Sequence, residues 1–278
     1  MKPAVFSYHK STSVEEAVKW LDQHPEGKIL AGGQSLIPLM NFRLSRPEEL
    51  LDITGIPQLD TVSQTGDRLV LGGLIRHQDL AEHDQVRGAA PVLAEAASHV
   101  GHWAIRNRGT LGGSLVHADP AAELPAAMVA LDATFELVSR AGVREVPARD
   151  FYLGFLTTDI MQGELLTRVS IPIADKTAFG FAEVARRPGD FALAGSFVEV
   201  GRDASGAITW FGISGGPERR AITWPTDAQE RAHAILEQLD TVDILDDEAY
   251  RHHVAQVVAE ETYRKAAGGA RDERTEGG

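Results

Sequence analysis

Lys28-Ile29-Leu30-Ala31-Gly32-Gly33-Gln34-Ser35-Leu36 runs a short apolar strand directly into a diglycine and a serine, and Arg106-Asn107-Arg108-Gly109-Thr110-Leu111-Gly112-Gly113-Ser114 brings a second diglycine and serine further along the chain. In the first stretch Ser35 can cap a helical turn reaching Leu44, with Pro38 early in it. The order is strand, glycine turn, helix start. A diglycine there lets backbone amides approach a ligand closely, and a helix N-terminus adds unpaired N–H donors and a partial positive charge. Such a turn suits a phosphate. Either diglycine alone is equally an ordinary corner, because glycine is the default residue of strained turns. Two of similar build point to one site. Neither Gly-x-x-x-x-Gly-Lys-Ser/Thr nor Gly-x-Gly-x-x-Gly is present, so the two commonest nucleotide motifs are excluded.

The flanking elements follow from periodicity. Ser13-Val14-Glu15-Glu16 reads as a capping box, and Val14, Ala17, Val18 and Leu21 fall on one face of a helix over 13–23. Leu50–Ile53 and Arg68–Gly72 read as buried strands, Pro91–Val100 as a helix stopped by Gly101, and 121–131 as an Ala-rich helix with Glu123 in its first turn. Thr134–Val138 and Val143–Val146 form a hairpin, and Leu165–Ile171 a strand closed by Pro172. Beyond it, three strand-like runs (Phe179–Ala185, Ser196–Val200, Ile208–Ser214) precede helices over 227–239 and 246–266. Strands followed by helices read as α+β, a small antiparallel sheet covered by two helices. The charged, glycine-rich stretch 268–278 reads as a disordered tail.

The 278 residues carry 27 Lys+Arg against 40 Asp+Glu, a net charge of −13, with no dense basic run. Nucleic acid and anionic membranes are therefore excluded as partners, and any bound anion must be held locally, with Arg106 or Arg108 as candidate cations. No stretch is long and apolar enough for membrane insertion, and the start of the chain has no signal-like core, so a cytoplasmic location is expected. There is no cysteine. Disulfides, a thiol nucleophile and thiolate-held zinc are excluded, and an iron–sulfur cluster on this chain is not expected.

The histidines give no metal site. His99-x-x-His102 and His252-His253 lack a third ligand at helical spacing. His117, beside the second glycine stretch, can donate to a ligand oxygen or simply to backbone. Ser35 and Ser114 lack a Gly-x-Ser-x-Gly elbow, so they are caps or phosphate contacts and not nucleophiles. Paired acids such as Glu15-Glu16 and Asp246-Asp247 are solvated helix faces. Arg186-Arg187-Pro188-Gly189-Asp190-Phe191 is a turn-rich insert, an ordinary exposed loop unless it faces the glycine stretches, where its ring and cations would cover a ligand. Read from the residues, the chain is a two-domain protein with a diphosphate cradle of backbone amides.

The order of motifs adds more. Ala31 to Leu36, then Ile105 to Ser114, then His117-Ala118-Asp119-Pro120-Ala121-Ala122-Glu123-Leu124-Pro125, then Glu164-Leu165-Leu166-Thr167 and Arg186 to Ala192 closely resemble the FAD-binding medium subunit of the molybdenum hydroxylases, the xanthine dehydrogenase and aerobic carbon monoxide dehydrogenase family. The similarity runs from about residue 3 to residue 265. The resemblance implies an α+β fold, with a two-lobed FAD-binding domain of the vanillyl-alcohol-oxidase (PCMH) type over 1–175, its lobes parting near 55–60. It implies a small C-terminal domain over 176–267, a three-stranded antiparallel sheet with helices.

Carried over by motif, Ala31, Gly32, Gly33, Gln34, Ser35 and Leu36, with Thr110, Leu111, Gly112, Gly113 and Ser114, would wrap the FAD diphosphate. Glu123 would help bind the nucleotide half, Leu166 would contact the flavin ring through backbone, and Phe191 would lie near the isoalloxazine. Phe191 stands where some members have tyrosine, which keeps the ring and loses a hydroxyl. Ser114 replaces a frequent Asn or Asp, and Gln34 stands where carbon monoxide dehydrogenases have His, which argues against carbon monoxide as substrate.

The resemblance also implies partners: a small subunit with two [2Fe–2S] clusters and a large subunit with a molybdopterin cytosine dinucleotide-type molybdenum cofactor, in a dimer of heterotrimers. With no cysteine, this chain can ligate neither cluster. Its task would be to take electrons onto FAD and discharge them to an external acceptor during hydroxylation of an aromatic or N-heterocyclic compound, with no catalytic acid or base of its own. An autonomous FAD-dependent oxidase and a non-catalytic nucleotide-binding module are the alternatives.

Overall fold

The structure, a computed structural model, describes residues 2–173, 177–245 and 247–275. It is built on three main sheets. The first takes β1 (Ser7–Lys10), helix α1 (Val14–Gln23), β2 (Lys28–Leu30), the short helix α2 (Leu36–Asn41) and β3 (Glu49–Asp52), and pairs β1 and β2 in parallel on either side of β3. Ser13 caps α1 by accepting from the Glu16 amide at 3.1 Å, and the Glu16 carboxylate reaches back to the Thr12 amide at 2.9 Å. The box closes one residue earlier than the usual pattern. Ala17, Val18 and Leu21 then pack on Leu51, Ile53 and Ile56, so one helix face and one sheet face share a core. Strand β1 escapes the sequence reading because Ser-Tyr-His-Lys is a polar edge strand whose pairing to Glu49–Asp52 is non-local.

The second unit opens with β4 (Val62–Thr65) and β5 (Arg68–Gly72), passes through helices α3 (His77–Glu82), α4 (Asp84–Ala89), α5 (Pro91–His99), α6 (Trp103–Arg106), α7 (Leu111–His117) and α8 (Glu123–Ala130), and continues with β6 (Thr134–Ser139) and β7 (Gly142–Pro147). A turn of helix α9 (Ala148–Phe151), the small hairpin β8 (Tyr152–Gly154) and β9 (Thr157–Thr158), and β10 (Leu165–Pro172) complete it. The sheet order is β4-β5-β10-β6-β7, antiparallel throughout. Helix α8 is apolar all round apart from Glu123, and all eight of its residues are buried. A helix without a polar face must be covered on every side. One side is covered by α5 and α7, the other by the third sheet.

That sheet comprises β11 (Thr177–Ala185), β12 (Ala192–Gly201), β13 (Ser205–Phe211) and β14 (Glu218–Thr223), backed by α10 (Ala228–Leu239) and α11 (Glu248–Thr275). It has four strands and not the expected three. Glu218-Arg219-Arg220-Ala221-Ile222-Thr223 carries too much charge to read as a strand, yet β14 is an edge, where charge guards an open row of backbone groups. Trp210, fully buried, donates its indole N–H to the Ala255 carbonyl at 3.3 Å and locks α11 onto the sheet. Phe181, Phe197 and Phe211 join the same core as Phe135 of β6 and Phe151 of α9.

Helix α11 runs to Thr275, past 268 where the sequence reading began a disordered tail. Gly268 and Gly269 each cost a helix only about 1 kcal/mol, and the residues after them are mostly good helix formers. Residues 276–278 of that tail, and the expected domain boundary at 175/176, lie outside the described residues. Among the described residues no helix is long and apolar enough to cross a membrane.

Candidate functional site

The two glycine stretches meet. A cleft of about 780 Å³ is lined by Ala31, Gly32, Gly33, Gln34, Ser35 and Leu36 from the first and by Thr110, Gly112, Gly113 and Ser114 from the second. The volume lies within the range of small-molecule and cofactor sites, roughly 300–1,000 Å³. The contact between the stretches is backbone on backbone. A β-carbon built at Gly32 would lie 2.8 Å from the α-carbon of Gly109 and closer still to the Arg108 carbonyl oxygen. Gly33 turns the chain at φ +71°, the left-handed region that glycine occupies without steric cost.

The two stretches do different work. No hydrogen-bond acceptor among the described residues takes the amides of Gly32, Gly33, Gln34, Ser35 or Leu36, while the Gly33 and Ser35 carbonyls accept from Ile37 and Leu39 to start α2. Five consecutive N–H groups are thus free at the cleft wall. The second stretch is not a loop but the first turn of α7, capped by the Thr110 hydroxyl. Its amides from Leu111 to Ser114 are spent: Leu111 donates to Ile75 at 2.9 Å, Gly112 to Gly73 at 2.8 Å, Gly113 to the Thr110 hydroxyl at 3.3 Å and Ser114 to Thr110 at 3.0 Å. It shapes the wall more than it supplies donors. Leu111, expected among the cofactor contacts, does not line the cleft, because its side chain is fully buried in the core beside Leu115 and Ile75.

Glu123, Leu166 and Phe191 also line the cleft, so thirteen of the fourteen residues singled out from sequence are brought together there. The loop after Arg186 therefore does face the glycine stretches. Gly189, Asp190 and Phe191 reach the cleft, and the Phe191 ring stands 63% exposed at its mouth. Arg106 and Arg108, candidate local cations, do not line it. Arg106 is turned away to Gln78 at 2.9 Å and to the carbonyls of Val100 and Gly101 at 3.3 and 3.0 Å. The cation at the rim is Lys28, which sequence reasoning passed over as part of an apolar strand. Also missed were His77 and residues 160–163, the part of the continuous lining run 160–166 that precedes the Glu164-Leu165-Leu166 motif and carries no phosphate-loop signal of its own.

Two titratable groups in the wall are unusual. Glu123 is only 4% exposed, and burial, then the nearby charges of Glu183 and Asp119, raise its carboxyl to about 8, partly offset by His99. A carboxyl of this kind is a neutral hydrogen-bond donor at pH 7. Behind it, Glu183 accepts from His99 at 3.0 Å, which raises the imidazole above its ordinary value. His77, buried, uses Nε2 against the Thr110 carbonyl at 2.9 Å, and burial lowers it to about 4. It stays neutral and holds the Gly109–Thr110 wall in place.

Protonating His77 is therefore a cost to the fold. Its folded value lies below the ordinary 6.5, so the unfolded chain takes up the proton first and stability falls as pH drops from 6.5 towards 4. We predict that His77→Gln, which can keep a donor towards Thr110, loses about 3 kcal/mol less than the native chain over that window. Parallel urea-unfolding profiles of the two proteins would refute this.

Among the described residues no group of three or more His, Asp or Glu is arranged to hold a metal. The comparison with known proteins agrees with the cleft. Residues 4–174 match the FAD binding domain in molybdopterin dehydrogenase. The 6-hydroxypseudooxynicotine dehydrogenase complex subunit alpha of Paenarthrobacter nicotinovorans is 38% identical over 288 aligned positions, covering 98% of this chain and 97% of that one. Caffeine dehydrogenase subunit beta of a Pseudomonas species is 41% identical over 73% of this chain and 70% of that one. Among solved structures, quinoline 2-oxidoreductase from Pseudomonas putida 86 superposes with a TM-score of 0.93 at 34% identity, covering 97% of this chain and 99% of that one. Carbon monoxide dehydrogenase from Hydrogenophaga pseudoflava gives 0.88 at 31% identity, covering 96% and 99%. With a backbone-walled cleft on its first two sheets and this match over both, the chain belongs to the FAD-binding, medium-subunit family of the molybdenum hydroxylases.

Proposed function

We propose that the cleft holds FAD and that the chain relays electrons from iron–sulfur clusters on a partner subunit to an external acceptor. The carrying observation is the row of free amides from Gly32 to Leu36, residues that line the cleft opposite Thr110, Gly112, Gly113 and Ser114. Free N–H groups suit a diphosphate, and an acidic protein needs such local donors because its net charge of −13 repels anions. The dense backbone contact at Gly32 fits a cradle that excludes side chains so that a ligand can approach. Glu123 would hold the nucleotide half as a neutral donor, the backbone at Leu166 would meet the flavin ring, and Phe191 would cover it from the mouth. Bound there, the flavin supplies exchange between one-electron and two-electron partners. We read 1–175, with lobes parting near 55–60, as the FAD-binding domain, and 176–267 as the domain that carries the Phe191 loop; the separate sheets support that division.

With no cysteine to ligate a cluster here, the proposed relay has both clusters on another chain. A small iron–sulfur subunit and a large molybdenum subunit, as a dimer of heterotrimers, complete the proposed assembly. Related chains are named as subunits of multi-chain dehydrogenases, and several act, by name, on nitrogen heterocycles such as nicotine and caffeine, which supports an N-heterocyclic or aromatic substrate. The test is native purification of the tagged chain. We expect a flavin absorbance band and co-purifying iron–sulfur and molybdenum chains by mass spectrometry, with substrate reducing the flavin only in the complex. A colourless protein, or substrate reduction by this chain alone, would overturn the reading.

A further inference from the structure

We infer that Arg144, through Asp159 and Glu164, is the positioning residue that holds the flavin end of the cleft; this rests on the FAD reading above. The run 160–166 is the longest unbroken segment of the cleft wall. Only its last two residues belong to a strand, and Gly163 turns at φ +82°, so the rest has no ladder of its own to keep it in shape. Arg144, on β7, supplies the missing constraint. Its Nε and Nη2 donate to the two carboxylate oxygens of Glu164 at 2.6 and 2.8 Å, and Nη1 and Nη2 donate to the Asp159 carboxylate and carbonyl, both at 2.6 Å.

Glu164 passes the constraint on. The carboxylate oxygen that meets Nη2 also accepts from the Met161 amide at 2.7 Å, and the Glu164 amide donates to the Met161 carbonyl at 3.1 Å. One guanidinium therefore grips Asp159 before the loop and Glu164 near its end, and through Glu164 also holds the Met161 backbone. The Arg144 and Asp159 side chains are about 30% exposed and that of Glu164 8%, so the pairing with Glu164 sits where water competes least. A planar fork matched to a carboxylate constrains direction as well as distance, which a lysine ammonium cannot do. What the clasp aims is the backbone leading to Leu166, the segment assigned above to the flavin ring.

The test uses the full-length chain with FAD titrated, comparing the native protein with Arg144→Met, which keeps the apolar stem, and Arg144→Lys, which keeps the charge. Four quantities are read: FAD affinity, flavin midpoint potential, amide hydrogen exchange over 160–166, and the melting temperature of flavin-free protein. We expect Arg144→Met to weaken FAD binding roughly tenfold, to move the potential and to speed exchange in the loop while the flavin-free melting temperature stays close to native. Arg144→Lys, which keeps the charge without the fork, should likewise leave the melting temperature close to native and should not restore the potential. Native affinity and potential in Arg144→Met, or an affinity loss that only tracks a fall in flavin-free melting temperature, would overturn the inference. A native chain that binds no FAD would overturn the cofactor reading instead, and unchanged loop exchange in Arg144→Met would overturn the clasp on its own.

Discussion

Gly32→Ala is expected to strip the flavin from the protein and to lower its melting temperature. The added methyl group would meet the Arg108 carbonyl and stand 2.8 Å from the Gly109 α-carbon, and neither can step aside. The Gly109 amide is tied to the Ile105 carbonyl at 2.7 Å and its carbonyl to the His77 amide at 3.0 Å. Overpacking against fixed backbone costs about 1–3 kcal/mol, which for a domain of this size is a melting shift of roughly 5 °C. FAD affinity should fall further, by about a hundredfold, because the first glycine stretch can relieve the clash only by moving its free amides away from the α7 wall. Gly113→Ala is milder: the new methyl meets only the Thr110 hydroxyl, at 2.8 Å, so the cost is that of a disturbed helix cap, about 1 kcal/mol. Gly88→Ala, with nothing within 4 Å of the added carbon, is the control. Calorimetry and flavin content decide, and full flavin occupancy in Gly32→Ala refutes the cradle.

The second large effect is on pH. Glu123 is raised to about 8 in the fold, so between 4.5 and 8 the unfolded chain gives up its proton while the folded chain keeps it. The contribution of this group is fully present below 4.5 and is lost as pH rises through 8. Glu123→Gln keeps the shape and a donor but never ionises. We predict that it is more stable than the native chain at pH 8 by a few kcal/mol, that the gap closes towards pH 4.5, and that FAD still binds. Glu123→Ala should lose FAD affinity because the donor and the packing both vanish. The native chain should also release FAD more readily as pH rises through 8, with Glu123→Gln indifferent. If Glu123→Gln and Glu123→Ala lose flavin alike, Glu123 binds as a carboxylate and the assignment of a neutral donor fails.

The long, strongly patterned elements were legible because their signals are local. A serine three residues before a glutamate and four apolar positions at helical spacing are enough to place α1, and Thr134–Val138 with Val143–Val146 flank a turn that could only be a hairpin. Elements held chiefly by distant partners were not: β1 is a strand only because Glu49–Asp52 lies beside it, and β14 only because β13 does. The second glycine stretch misled for a related reason. Leu-Gly-Gly-Ser has poor helix propensity, yet the Thr110 cap and the contact of Gly112 with Gly73 make it the first turn of α7. Tertiary packing overrode propensity there.

From the sequence alone came the residue types the site would need: glycines beside a strand and a serine, a glutamate in the first turn of an apolar helix, no cysteine to hold a cluster, and an order of motifs that identifies the family. Those are properties of composition and of neighbours along the chain. Only the tertiary structure decided that Gly32 abuts Gly109, that the amides of Gly32–Leu36 are free while those of Leu111–Ser114 are spent, that Lys28 and not Arg106 lines the cleft, and that burial raises the Glu123 carboxyl. Each of these depends on which distant groups share a volume and how much water is left between them. Hydrogen-bond satisfaction and desolvation are set by that enclosure, and no local pattern carries it.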